Sequence, residues 1–377
     1  MGSYTRLTVE VGYVPGVLHE PLTLSSGTVL PNRLALAPMT NQQSLADGRL
    51  GEDELAFLAR RADGGFGVVE TCAAYVARDG KAWDGELGVD RDDQLPGLTR
   101  LADRIRRGGA VSIVQLFHGG VRAACRLTGE QVWSASTWHE DSPTFEPPRP
   151  ATLADLERVI ERFAEAAVRV QRAGFDGVEL HAAHGYLLSQ FLSRTMNPRG
   201  DGWGGDLAGR ARLVREVLRA TRARTGRGFT IGVRMSFEDY GNAKGMDLDD
   251  NLQVARWLAE DGADFIHVSL WDASLMTKKR PEEHAVPLVR AALPPHVAVF
   301  AAGSIWTRAE AEQLRARGAD VIALGRSAIV NPDWPRQVGS PQWEPTRPPL
   351  TRAQLLERSV SPEFAQYLSR WKNFVAD

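Results

Sequence analysis

The run Arg172-Ala173-Gly174-Phe175-Asp176-Gly177-Val178-Glu179-Leu180-His181 decides the fold, because it joins the end of a long helical pattern to a short buried strand. Upstream, Leu153, Leu156, Val159, Ile160, Phe163, Ala167 and Val170 fall on one stripe of a helix expected from 153 to about 173. Thr152 and Asp155 can cap its start. Gly174 suits its end, since glycine enters the left-handed backbone region at little cost. Downstream, 176–181 (DGVELH) has the length and apolar character of a strand. The same passage recurs at Glu260-Asp261-Gly262-Ala263-Asp264 and at Ala316-Arg317-Gly318-Ala319-Asp320.

Outward from this run, the alternation gives eight candidate strands, at 33–38, 68–72, 110–116, 176–181, 229–234, 264–269, 297–302 and 320–324. Most are continuously apolar, as expected of parallel strands covered on both faces. Eight βα units predict an α/β protein built as a (β/α)8 TIM barrel, a single domain spanning 1–377 with no dividing linker. A doubly wound sheet is the rival arrangement. Two insertions, 119–150 and 182–207, follow strand ends and belong on the C-terminal face, where barrel loops build active sites. A tail from about 337 follows the last unit, with one more helix expected within 361–375.

Composition narrows the partners. The 377 residues carry a net charge of −2, with arginines spread between acidic residues, so neither nucleic acid nor an anionic membrane is an expected partner. The 43% hydrophobic content suffices for a large core, and no stretch approaches the roughly 18 apolar residues of a spanning helix. Cys72 and Cys125 match neither a disulfide framework nor a zinc spacing. The first residues have neither the basic start nor the apolar run of a signal peptide, and a cytoplasmic location is the expectation.

The chemistry gathers at the strand ends. Ala302-Gly303-Ser304 follows the seventh strand and Leu324-Gly325-Arg326 the eighth, the two places where barrels commonly bind phosphate. Glycine lets backbone N–H groups approach an anion closely, and Arg326 adds a charged donor. Gln115-Leu116-Phe117-His118-Gly119-Gly120 ends the third strand. Arg234 ends the fifth, inside an apolar run, where a buried guanidinium needs an anionic or strongly polar partner. Together these groups suggest a large polar cofactor across the barrel mouth. His181-Ala182-Ala183-His184-Gly185-Tyr186 ends the fourth strand; no third ligand stands at usable spacing and HExxH is absent, so no metal is expected. Two imidazole donors can instead hold one oxygen and stabilise charge developing there, with Tyr186 supplying a proton.

In these motifs the sequence resembles the old yellow enzymes, or NADH:flavin oxidoreductases, from about Pro21 to Pro335. The marks are Leu30-Pro31-Asn32-Arg33 with Ala37-Pro38-Met39-Thr40, the Gln115 and His181 motifs, and Ser189-Gln190-Phe191-Leu192-Ser193 continuing to Asn197, Arg199, Asp201 and Gly204-Gly205. The resemblance implies non-covalent FMN and NADH or NADPH as reductant. It places Pro38, Met39 and Thr40 along the flavin, with Thr40 near O4 and N5, and counts Thr71 among the cofactor-binding residues. It sets Gln115 on the pyrimidine edge, Arg234 near N1 and O2, and the phosphate on Gly303, Ser304, Gly325 and Arg326. It makes His181 and His184 the substrate-binding pair and Tyr186 the proton donor. The activity it implies is that of an ene-reductase, passing hydride from NAD(P)H via flavin N5 to the β-carbon of an α,β-unsaturated carbonyl compound.

Three positions depart from the family's commonest pattern. Trp203 stands in place of tyrosine before Gly204-Gly205, Gly209 in place of asparagine before Arg210, and Thr40 where some relatives carry cysteine. The chain also lacks the cysteine cluster of the longer dienoyl-CoA reductases, which excludes their iron–sulfur centre. Other readings stand beside the reductase: a desaturase or dehydrogenase using the same residues in reverse, and, from a different class, a flavin-free phosphate-binding aldolase or isomerase. A non-catalytic binding protein would not need the histidine pair and tyrosine. Trp133, Trp138 and His139 are expected to shape the pocket of a small-molecule substrate. Tyr367 and Trp371 would either cover the chain's own barrel or reach into a partner's site in a homo-oligomer.

Overall fold

Eight parallel strands close into a barrel in the computed structural model, which describes residues 17–142, 145–340 and 342–376. They are β1 (Leu34–Leu36), β2 (Val68–Tyr75), β3 (Val111–Phe117), β4 (Gly177–Ala182), β5 (Thr230–Met235), β6 (Phe265–Ser269), β7 (Ala298–Ala302) and β8 (Val321–Leu324). Each pairs with the next, and β8 closes on β1 through Ile322–Leu34, Ala323–Ala35 and Leu324–Leu36. Closure decides for the TIM barrel over the doubly wound sheet. The helices on the outside are α1 (Glu52–Asp63), α2 (Leu95–Arg107), α3 (Leu153–Arg172), α4 (Leu207–Thr225), α5 (Leu248–Glu260), α6 (Ala285–Ala292), α7 (Arg308–Ala316) and the short α8 (Arg326–Val330). No described helix is long and apolar enough to cross a membrane. The signal-peptide expectation falls on 1–16, outside the described residues.

The recurring Gly-x-Asp passage has a physical reason. Gly174, Gly262 and Gly318 take φ of +89°, +101° and +105°, turning the chain from helix into strand. The aspartate two residues on then binds the start of the strand before its own. Asp176 accepts from Ser112 N at 2.8 Å, Asp264 from Ile231 N at 2.8 Å and Asp320 from Val299 N at 2.9 Å. These carboxylates satisfy backbone donors at the N-terminal rim and fix the stagger between neighbouring strands. Above them the lower barrel is filled by apolar side chains, with Phe265 and Phe300 stacked at 4.1 Å. Gly232 makes room for them: a Cβ there would sit 2.0 Å from Phe265 Cζ. The hairpin Leu22–Thr23 with Val29–Leu30 closes the bottom, adding Leu24 and Leu30 to this core.

Helix α3 runs where its stripe places it, with one correction: Leu153 is 57% exposed, while Asp155 is only 3% exposed. The first turn overhangs the core, and its buried position goes to the carboxylate that completes the cap. Asp155 accepts from Thr152 N at 2.8 Å, returns its own N–H to Thr152 Oγ1 at 3.2 Å, and pairs with Arg149 at 2.5 Å. Burial pushes this carboxyl up, but Arg149, Thr152 and Arg158 outweigh it and hold it well below the usual range. A carboxyl depressed in the folded state contributes stability above its unfolded pKa, near 3.8, and loses it as pH falls through the lower folded value. Asp155→Asn should therefore lower stability by about 1 kcal/mol at pH 7. Chemical unfolding across pH should show the two proteins converging below about pH 4.

The insertions lie on the C-terminal face, but Trp133 does not line a pocket. It is 1% exposed, donates to Asp79 at 2.8 Å and packs on His118 at 4.8 Å, fixing the short pairing of Trp133–Ser134 with Arg149–Pro150. Trp138 bonds Glu140 at 3.0 Å and His139 packs edge-on to Phe145. The departures in the 182–207 loop are accommodated locally. Trp203 lies under Arg212 and has its carbonyl held by Asn197 at 2.7 Å; a Cβ on Gly209 would sit 2.1 Å from Gly204 O. Both cysteines are free thiols. In the tail the expected helix is shorter, Pro362–Leu368, because the chain then doubles back to bridge Leu350 with Val375. Phe364 packs edge-on to Phe57 at 5.3 Å, which fastens the tail to the chain's own barrel.

Candidate active site

Alternation along the strands aims a second set of side chains into the upper barrel. The register sets Gln115 beside Glu179, His181 beside Arg234, and Arg234 beside His267, so residues far apart in sequence meet in one polar ring. Arg234 crosses it, donating to Pro38 O at 3.4 Å and to Ser269 Oγ at 3.2 Å. Its Nε is buried with no partner among the described residues. Burial pulls the guanidinium down, opposed by Glu179 and Glu70.

The fourth strand ends in a sharp turn, with His184 at φ +59° and Gly185 at φ +74°. The His184 backbone N–H is taken by Ser236 Oγ at 3.1 Å. This turn brings the two imidazoles together at right angles, centroids 5.1 Å apart, with the Tyr186 ring 4.9 Å from His181. Tyr186 is held edge-on against Phe117 at 4.5 Å. The His181 tautomer follows from its partner. His181 Nδ1 accepts from Ala183 N at 3.3 Å, so its proton lies on Nε2. His184 Nε2 shares a 2.6 Å hydrogen bond with Ser269 Oγ, which also accepts from Arg234. Burial and then the neighbouring cations push both imidazoles well below their usual range, while burial pushes the Tyr186 hydroxyl up. At neutral pH the site therefore presents neutral N–H donors and a protonated phenol. A cavity of about 270 Å³ opens beside them, lined by His184, Tyr186, Ser236, Tyr240 and Trp271.

The two glycine turns form a second cluster. Arg326 donates to Ser304 Oγ at 2.8 Å, and Ser304 takes φ +54°. A Cβ on Gly303 would lie 2.7 Å from Leu270 Cβ, and one on Gly325 would lie 3.4 Å from Met39 Sδ. Met39 thus links this cluster to the end of β1. Thr40 faces the tail: burial pushes the Tyr367 hydroxyl up, and a hydrogen bond with Thr40 offsets part of the rise. Tyr367 thus lies against its own barrel, while Trp371 is 41% exposed. Thr71, also expected to bind the cofactor, engages its hydroxyl with the backbone. It sits in a bulge where the β2–β3 register slips between Glu70 and Ala73, and donates to Cys72 O at 2.7 Å.

Residues 17–342 match the family described as NADH:flavin oxidoreductase / NADH oxidase. The chain belongs to this family. Among relatives of this NADH:flavin oxidoreductase, the probable NADH-dependent flavin oxidoreductase YqiG of Bacillus subtilis (strain 168) is 34% identical over 324 residues, 84% of this chain and 86% of that protein. The NADH:acrylate oxidoreductase of Vibrio harveyi is 34% identical over 327 residues, 84% of this chain but 32% of the longer protein. Among solved structures, the old yellow enzyme homologue from Zymomonas mobilis superposes with a TM-score of 0.79 at 24% identity, covering 92% of this chain and 98% of that one, a likeness of fold. The chain is an oxidoreductase of the old yellow enzyme family, with FMN as cofactor and NADH or NADPH as reductant. That sets aside the flavin-free aldolase or isomerase.

The residues present suit FMN on their own terms. The unpartnered buried Nε of Arg234 suits an electron-rich ring edge, and the Ser304–Arg326 cluster with its two glycines suits a phosphate. Sequence reasoning passed over Glu70, Glu179, His267 and Ser269, all buried in the ring or just beneath it. Their signal was present: polar residues inside otherwise apolar strands, two apart in Glu179–His181 and His267–Ser269 or in register with Arg234, face inward and need partners.

Proposed function

We propose that this oxidoreductase is an ene-reductase acting on α,β-unsaturated carbonyl compounds. The carrying observation is the pair of neutral imidazoles set at right angles, 5.1 Å apart, with the Tyr186 ring 4.9 Å from His181. Bound FMN supplies the means of taking hydride from NAD(P)H and giving it to an electron-poor carbon. Pro38, Met39, Thr40, Gln115 and Arg234 would hold its ring system, and Gly303, Ser304, Gly325 and Arg326 its phosphate.

His181 and His184 each donate an N–H to the carbonyl oxygen of the substrate and draw electron density from its double bond. Because both imidazoles stay neutral, they bind the oxygen without giving up a proton and stabilise the negative charge that gathers there. Tyr186 keeps its proton at neutral pH and delivers it to the α-carbon. Phe117, packed against the Tyr186 ring, fixes its direction. Two relatives carry names that fit this chemistry, the NADH:acrylate oxidoreductase above and the NADH:fumarate oxidoreductase of Klebsiella pneumoniae (strain 342). The latter is 32% identical over 85% of this chain, which covers 36% of that protein. Both named substrates have a double bond conjugated to a carboxylate.

The test is steady-state turnover with NADH or NADPH against a panel of enones, enals and acrylate. At least one should reoxidise the reduced protein faster than dissolved oxygen does. If none does, the reductase reading fails and the reverse, desaturating direction takes its place.

A further inference from the structure

Within and just below the ring, sealed inside the barrel, lie three side chains that the proposed reaction does not use: Glu70, Glu179 and His267, each with 0–1% of its surface exposed. Glu179 is bonded on both oxygens, accepting from Gln115 Nε2 at 2.7 Å on Oε1 and meeting His267 Nδ1 at 2.6 Å on Oε2. Glu70 stands beside it with neither oxygen matched to a donor among the described residues, its Oε1 3.9 Å from His267 Nδ1. The donor types would suit a cation. However, 2.6 Å between Glu179 and His267 is a direct hydrogen bond, and an ion about 2.0–2.2 Å from each atom would hold them further apart.

Two carboxylates this deep cannot both be ionised. Burial and the Glu179 charge push Glu70 well up, so it is protonated and has one donor for Glu179 to accept. Burial also acts on Glu179, but His267, Arg234 and Gln115 outweigh it and keep its carboxyl low. Burial pulls His267 down against the attraction of Glu179, which leaves it a neutral Nδ1–H donor. The chamber then holds one negative charge on the glutamate pair and one positive charge on Arg234.

We propose that Glu179 is the positioning residue of the cofactor pocket, fixing the hydrogen-bonding sense of Gln115 and balancing Arg234, while Glu70 carries the proton that keeps the pair singly charged. An amide is nearly symmetric in shape and binds either way round, whereas a carboxylate only accepts. Glu179 therefore commits the Gln115 nitrogen inward and offers its carbonyl oxygen to an N–H donor, such as the one on a flavin's pyrimidine edge. This rests on the assignment of Gln115 and Arg234 to FMN and is independent of the ene-reductase reading, since its tests need no alkene.

The experiment compares Glu179→Gln and Glu70→Gln by FMN titration of the apoprotein and by the potential of the reconstituted protein. Glu179→Gln should weaken FMN at least tenfold. It should also favour the reduced over the oxidised cofactor at least tenfold, a positive shift of about 30 mV for a two-electron couple, because Arg234 loses its counter-charge. Glu70→Gln replaces a neutral donor with a neutral donor and should keep both quantities within threefold. Infrared difference spectra of wild type against Glu70→Gln at pH 8 should show one protonated-carboxyl band lost, an arm that stands even if Glu179→Gln does not fold. Wild-type affinity and potential in Glu179→Gln, equal losses in both variants, or no band lost would each overturn the proposal.

Discussion

Tyr186→Phe is expected to slow oxidation of the reduced protein by an enone about 10²–10⁴-fold, the usual weight of a positioned general acid. Reduction by NADH or NADPH should change by less than about twofold. The asymmetry follows from what the substitution removes. Phenylalanine keeps the ring that packs on Phe117 at 4.5 Å and faces His181 at 4.9 Å, so the pocket's shape survives. Only the hydroxyl goes, and burial holds that hydroxyl protonated at every pH where the protein would be assayed. Nicotinamide oxidation gives up hydride and needs no proton from this side chain. Stopped-flow measurement of the two half-reactions separates the effects. Equal rates of enone reduction in wild type and variant would move the proton donor away from Tyr186.

Arg234→Met is expected to lower the stability of the apoprotein by about 3–5 kcal/mol, the range for removing one partner from a buried charge pair. Arg234 feels the charges of Glu179 and Glu70 and bonds both Pro38 O and Ser269 Oγ. Without it the Glu179 carboxylate is left uncompensated in a dry chamber, and methionine fills the volume without supplying charge. The loss should grow with pH. With Arg234 gone, the folded-state pKa of Glu179 rises above its unfolded value near 4.5, so stability is retained below that pH and lost as pH climbs toward the raised folded value. Chemical unfolding of the apoprotein from pH 5 to pH 8 measures this directly. A loss under about 1 kcal/mol, constant with pH, would show that Arg234 does not balance Glu179.

The fold was legible because its punctuation is chemical. Glycines at 174, 262 and 318 need positive φ, and the aspartates behind them need backbone donors, so the repeat unit announces itself locally. The mouth of the site was legible for a related reason: His181, His184, Gln115 and Arg234 are polar residues at the ends of apolar strands. The layer beneath was not read. Glu70, Glu179 and His267 lie on three separate strands, and only barrel closure shows that they are delivered to one point. Trp133 misled because a tryptophan in an insertion reads as pocket lining until its N–H is seen to be held by Asp79. Leu153 misled because a helical stripe fixes an angle but not where the core ends.

The aspartates at the N-terminal rim have a consequence for how this protein can change over time. They hold the stagger of the strands at one end of the barrel, whereas the groups proposed to react stand at the other. Loops at the mouth can thus be lengthened, exchanged or recoloured with new side chains without loosening the frame. A lineage built on such a plan is free to explore new substrates while its scaffold stays put, and variants sought for altered selectivity belong in the 119–150, 182–207 and 270–284 loops.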